Sequence, residues 1–189
     1  MVIRWAFVII GQLMIGAAAG AMIVNNYGAD PYSVLIDGAA ELLSVPHIIA
    51  SLLCAITCVI IGKILGGKVR LITVVAPVCA SLALMIGTQA PLGVASVGIA
   101  GILYLVGLTV YLSAGLGAGS VEFIAESLAA NSNRFGLYLN LTLLLYCALG
   151  VAAGGSAGAF TIVIALVAGP CSQLGRKRLI KYIDERLWK

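Results

Sequence analysis

Charge is what this sequence has least of. Only 10% of its 189 residues are Asp, Glu, Lys or Arg, against about 25% in soluble domains. That is too few to give a water-facing surface to a chain that is 62% hydrophobic, so a soluble globular protein is excluded. Aromatic residues make up 7%, and the basic residues gather in a few loops and the C-terminal tail rather than on a face with interleaved rings. That excludes nucleic acid as a partner. There is one His, and the five Cys lie in or beside apolar runs with no CxxC or HExxH spacing, so neither a metal nor another cofactor is expected. Cys54 and Cys58 stand one helical turn apart, but free Cys in such a run is ordinarily a small buried hydrophobe. No nucleophile, base and orienting group can be assembled, so an enzyme is not expected.

What the chain does have is long apolar runs. At about 20 residues per crossing, they supply six transmembrane helices: Trp5–Val24, Ile48–Gly62, Leu71–Gly87, Val94–Ser113, Leu137–Ala153 and Ala157–Ala168. The first, with Arg4 in front and Ala17-Ala18-Ala19-Gly20 behind, superficially resembles a signal peptide. Its apolar stretch is too long and continues to Val24, so it reads as a retained span. With the N-terminus inside, all 11 basic residues fall on one face, as the positive-inside rule requires. An eight-span alternative puts Lys63, Lys68 and Arg70 outside. The tail 175–189 places Leu179, Ile180, Ile183 and Leu187 on one stripe among charges, with Trp188 near its end, the pattern of an interfacial helix.

Sliding the sequence on itself by 87 residues pairs Gly11 with Gly98, Gly20 with Gly107, Gly28 with Gly115, Ser33 with Ser120 and Val34 with Val121 without a gap. Each half then reads as a long span, a glycine turn, a short polar-bearing helix and two more spans. The first half covers residues 1–89 with a short helix over 31–43, the second 90–174 with a short helix over 120–130. Three spans per repeat means that the second copy enters the membrane from the opposite side. This all-α, inverted-repeat plan is that of many secondary transporters, whose substrate binds between the repeats.

The first glycine turn, starting at Tyr27, leads through Asp30, an N-cap residue, to Pro31, which suits the first helical position. Ser120 is the expected cap of the second short helix. Five of the seven acidic residues lie in these segments, with Asp37 and Glu41, then Glu122 and Glu126, spaced i,i+4 on one helix face. In segments that dip into the membrane such carboxylates face a cavity and serve as cation or proton sites; in segments lying flat they are simply the wet face. Free N–H groups at the two helix starts suit an anion, and Gly117 and Gly119 permit close approach. Tyr138, Thr142 and Tyr146, with Asn140 nearby, form a polar stripe on the fifth span, read equally as a pathway wall or as interhelical glue. Gln12 stands alone inside the first span. The candidate substrate or ion site is thus Gln12, Asp30, Ser33, Asp37, Gly117, Gly119, Ser120, Glu122, Glu126, Tyr138, Asn140 and Thr142. Pro46 and His47 mark the outer start of the second span.

The run Gly28-Ala29-Asp30-Pro31-Tyr32-Ser33-Val34-Leu35 with Gly38 resembles the small-Gly-x-x-Pro-aromatic-x-Val-Leu-x-x-Gly signature of the bacterial YczE/YyaS/YitT-like integral membrane proteins. Arg4 ahead of the first span also fits. Members commonly carry Trp-Asp after the proline, where this chain has Tyr32-Ser33, so no role resting on that acid carries over. The resemblance implies a protein of the bacterial inner membrane and transport, without naming a substrate. The leading expectation is therefore a small transporter, with both termini cytoplasmic, that moves a small polar or charged solute by alternating access with proton or cation coupling. Its partners are the lipid bilayer and that solute; association into a homo-oligomer is left open. The competing readings are the capture subunit of an energy-coupling-factor-like vitamin transporter and a non-transporting accessory protein.

Overall fold

The computed structural model describes residues 1–24, 28–89, 94–130, 132 and 134–187, with side chains over 1–24, 28–89, 98–130, 132 and 134–175. Tyr27, where the first glycine turn begins, and the stripe and Trp188 of the tail lie outside the described side chains. Among the described residues there are eight helices and no strand: α1 (Val2–Val24), α2 (Pro31–Leu43), α3 (His47–Ile64), α4 (Leu71–Gly87), α5 (Val94–Ser113), α6 (Ser120–Leu128), α7 (Phe135–Ala152) and α8 (Ala159–Leu187).

By length and composition, α1, α3 and α7 can cross a membrane. The other apolar helices, Leu71–Gly87, Gly98–Ser113 and Ala159–Gly175, are shorter over the described residues and stand near the lower limit of about 17 residues for a crossing. Half of the apolar window of α1 is buried, against 28% in α3 and 33% in α7, so α1 is the most enclosed of these three. On the outside, α3, α4, α7 and α8 turn Ile56, Leu82, Leu145 and Val163 outward, each about half exposed, and α1 does the same with Ile10. An apolar belt of that kind suits lipid rather than water.

The two short helices differ at their starts. Asp30 caps α2 with its side chain and Pro31 opens the helix, while Ser44, in the left-handed region, closes it by donating its N–H to the carbonyls of Ala40 and Glu41. The N-cap of α6 is Gly119, which has no side chain to offer; Ser120, expected there, is instead the first helical residue. The helix ends at Leu128 rather than Ala130. A second departure concerns the tail. It is not set off at Gly175, because α8 runs through that residue to Leu187, and nothing in Gly175-Arg176-Lys177 stops a helix.

Packing runs through residues without bulk. α1 lies against α4 and α5, α5 against α8, and α3 against α4 as α7 does against α8. Each short helix touches a helix of the other half of the chain, α2 on α7 and α6 on α3. Gly11 on α1 meets Gly107 and Tyr111 on α5, and Arg4 lies nearest Gly115, so these two helices run antiparallel. Gly16 meets Ala80 and Gly20 meets Leu84 and Thr88, which makes α1 and α4 parallel.

At Gly150, a Cβ would come within 2.6 Å of the Leu35 backbone nitrogen, whereas at Gly98 it would meet open space. Overpacking a seam of this kind costs about 1–3 kcal/mol. Gly150→Ala is expected to lower the thermal midpoint of the detergent-purified protein by several degrees and Gly98→Ala to leave it unchanged, read by a thiol-reactive unfolding dye.

Candidate functional site

Where α2 and α6 begin, the bundle holds a partly open cavity of about 40 Å3, room for about three water molecules. Its polar lining comes from Gln12 on α1, Asp30 and Ser33 at the start of α2, Ser51 on α3, Tyr104 on α5, and Gly119, Ser120 and Glu122 at the start of α6. The remaining walls are apolar, Ile15, Ile36, Ala80 and Leu84 among them. No Lys, Arg or His is among the described residues that line it.

The first buried carboxylate, Asp30, is fully engaged. Its Oδ1 accepts from the backbone N–H groups of Tyr32 at 3.1 Å and Ser33 at 3.3 Å, its Oδ2 accepts from the Ser33 hydroxyl, and the Tyr104 hydroxyl adds a fourth contact. These donors and the positive end of α2 offset the cost of burying a carboxyl group at 1% exposure.

Glu122 is 4% exposed and less well provided. The Tyr111 hydroxyl donates to its Oε2 and in turn accepts from the Gly119 N–H at 3.0 Å; the backbone N–H of Glu122 itself also contributes. Beside it, Ser120 is wholly buried and its Oγ has no hydrogen-bond partner. Buried hydroxyls are rarely left so. In the repeat register Ser120 matches Ser33, whose hydroxyl bonds Asp30; the residue matching Asp30 is Gly117, so the partner is missing.

Other expected site residues sit further out. Asp37 accepts from the Ser156 N–H at 2.8 Å and lies 3.1 Å from His47 Nε2, tying α2 to the α7–α8 connection. Glu126 accepts from Arg70 Nη1 at 3.1 Å and from the Ala118 N–H at 3.3 Å, tying α6 to the α3–α4 connection. Gly117 lies against the Arg70 side chain, with a φ of +116°. On α7, Asn140 donates to the Leu166 carbonyl at 2.8 Å and accepts from the Gly169 N–H at 2.7 Å, which is glue between α7 and α8. Thr142 is buried and Tyr138 half-buried against the core, and neither lines the cavity. Tyr146 donates to the Val121 carbonyl at 2.9 Å, with Cys58 3.2 Å from its oxygen, which steadies α6 from behind.

The structure thus brings Gln12, Asp30, Ser33, Gly119, Ser120 and Glu122 to one cavity and leaves the rest outside it. Sequence reasoning missed Ser51, Tyr104 and Tyr111. Ser51 bonds Ser81 across α3 and α4 at 2.8 Å and gives no pattern to follow, but Tyr104 and Tyr111 are seven residues apart on one face of α5.

Compared with known proteins, the chain matches no family model, no curated protein and no solved structure.

Removing the Asp30 carboxylate uncaps α2 and strands the hydroxyls of Ser33 and Tyr104. Losing the cap alone costs about 1 kcal/mol and each stranded buried group adds to it. Asp30→Ala is expected to lower the thermal midpoint clearly further than Asp37→Ala, whose carboxylate sits at the margin of the bundle.

Proposed function

We propose that this protein is a compact membrane transporter in which six spans form two inverted three-span repeats, and that a small polar or charged solute passes through the cavity between α2 and α6 by alternating access. The observation that carries this reading is the convergence, in one apolar bundle, of the starts of two short helices, one from each half, with a buried carboxylate beside each.

Several features support the repeat. Exchanging α1 to α4 with α5 to α8 maps the helix pairings onto one another, α1–α4 onto α5–α8, α2–α7 onto α6–α3 and α4–α6 onto α8–α2. The antiparallel course of α1 and α5 is what a twofold axis in the membrane plane demands. Left-handed glycines recur before each short helix, Gly28 at φ +103° and Gly115 at φ +67°, in the register of the sequence repeat.

Alternating access requires two barriers, and each half contributes one. With α1 entering from the cytoplasm of a bacterial inner membrane, the Arg70–Glu126 tie lies on the cytoplasmic side and the Asp37–Ser156–His47 tie on the outer side. Each fastens the short helix of one half to a loop of the other, so both closed together describe an occluded state. A cavity with two carboxyl groups and, among the described residues, no basic one takes its neutralising charge from what enters, a proton or a cationic group.

In a cysteine-free background with a single Cys replacing Ser120, Arg70→Gln is expected to raise labelling by an impermeant thiol reagent from the cytoplasmic side, and Asp37→Asn from the outer side. Labelling from the same side in both variants overturns the reading. In proteoliposomes containing the purified chain alone, Glu122→Gln is expected to reduce solute uptake at least tenfold; a requirement for an added ATPase speaks instead for a capture subunit.

A further inference from the structure

We infer that the solute held in this cavity is a small zwitterion bearing a carboxylate and an ammonium group on neighbouring atoms, that is, an amino acid of the smallest kind. The inference rests on the transporter reading for its physiological role and on the two helix starts for its chemistry.

The first half shows what satisfies a helix start in this bundle. At α2 a carboxylate accepts two backbone N–H groups and the hydroxyl of Ser33. The second half repeats the serine and omits the acid. Gly117 stands in the matching position, no side chain caps α6, and the Ser120 hydroxyl, wholly buried, has no partner. A carboxylate arriving from outside meets at α6 the Ser120 N–H and hydroxyl, the counterparts of the Ser33 groups that Asp30 uses at α2, together with the positive end of the helix; the Gly119 N–H, which matches that of Tyr32, is already given to the Tyr111 hydroxyl.

An anion alone is a poor occupant, because the Glu122 carboxylate lies in the same first turn and no basic side chain lines the cavity among the described residues. Glu122 has one side-chain donor, Tyr111 on Oε2, and a carboxylate can accept about four hydrogen bonds. An ammonium group takes up that unused capacity, and its charge offsets the repulsion between the two acids. The Gln12 amide, the lone polar side chain of α1 on the cavity wall, supplies a further acceptor. Asp30, with its four contacts, needs nothing more. Space for about three waters and apolar walls of Ile15, Ile36 and Leu84 restrict the rest of the solute to at most a short side chain.

The test is equilibrium binding of radiolabelled glycine to the detergent-purified full chain, with acetate, methylammonium, sodium chloride and larger amino acids as competitors. Glycine is expected to bind and to be displaced by alanine, whereas acetate and methylammonium, each supplying half of the recognition, displace it at least a hundredfold less well. Ser120→Ala is expected to weaken binding about tenfold, as loss of one hydrogen bond to a charged group does, and Glu122→Gln by at least as much. Gly119→Ala keeps an allowed backbone and places a methyl 3.1 Å from the Ala76 Cβ and 3.4 Å from Glu122 Oε2, a fit that asks for a shift of a few tenths of an ångström; it is expected to abolish binding in a protein whose elution from size exclusion is unchanged. Binding of methylammonium as tight as glycine, or of acetate as tight as glycine, overturns the inference in favour of a simple cation or anion site. Absence of glycine binding to a monodisperse wild-type protein overturns it outright. Glycine binding without flux in proteoliposomes leaves the ligand standing and defeats the transporter reading, and flux of another solute without glycine binding does the reverse.

Discussion

A helix that starts inside an apolar bundle leaves backbone N–H groups without intrahelical partners in surroundings poor in water, and the architecture of this protein answers to that constraint twice. At α2 the answer is internal. Asp30 is drawn in to accept from the first turn, Ser33 and Tyr104 steady it, and Pro31 removes one donor from the problem. At α6 it is incomplete, with Ser120 unpartnered and Gly119 contributing only backbone. The surrounding helices are arranged to keep both starts enclosed, α1 and α5 crossing antiparallel on glycine while α3 and α7 each carry the short helix of the other half.

The closeness of that enclosure follows from small residues. Seams built on Gly16, Gly20 and Gly150 bring backbones together at distances that leave no place for a methyl group, which gives dispersion contacts along the whole length of the seam. Larger apolar side chains are correspondingly pushed outward, and the outer faces of α3, α4, α7 and α8 carry them. A small cavity then persists between α2 and α6 because its polar lining, engaged with itself at Asp30 and open at Glu122, resists collapse onto apolar neighbours.

Much of this was legible in the residues themselves. Hydropathy placed α1, α3, α4, α5 and α7 to within a few residues, and Asp30-Pro31 marked the start of α2 because both side chains act locally. The start of α6 was harder, since Gly117 and Gly119 fix no cap and the helix begins two residues later in the repeat register than its counterpart. The i,i+4 pairing of carboxylates put Glu122 and Glu126 on one face, yet only Glu122 lines the cavity: four residues along a helix rise about 6 Å, enough to carry Glu126 out to Arg70. Asp37 leaves the site for the same reason. Asn140 was ambiguous in sequence, where a polar residue in a span reads the same whether it meets a solute or a neighbouring helix, and only its bonds to Leu166 and Gly169 decide. The charged stripe that begins after Gly175 reads as a separate interfacial helix, yet a stripe has the same spacing whether its helix starts there or continues an earlier one, and here α8 runs on from Ala159 to Leu187.

The unlike chemistry of the two helix starts has a consequence for anything lodged between them. A cage with identical walls would admit its guest in either of two poses, whereas here one wall already holds its acid and the other still lacks one. The interior therefore has a front and a back, and a guest that is itself lopsided sits better one way round than the other.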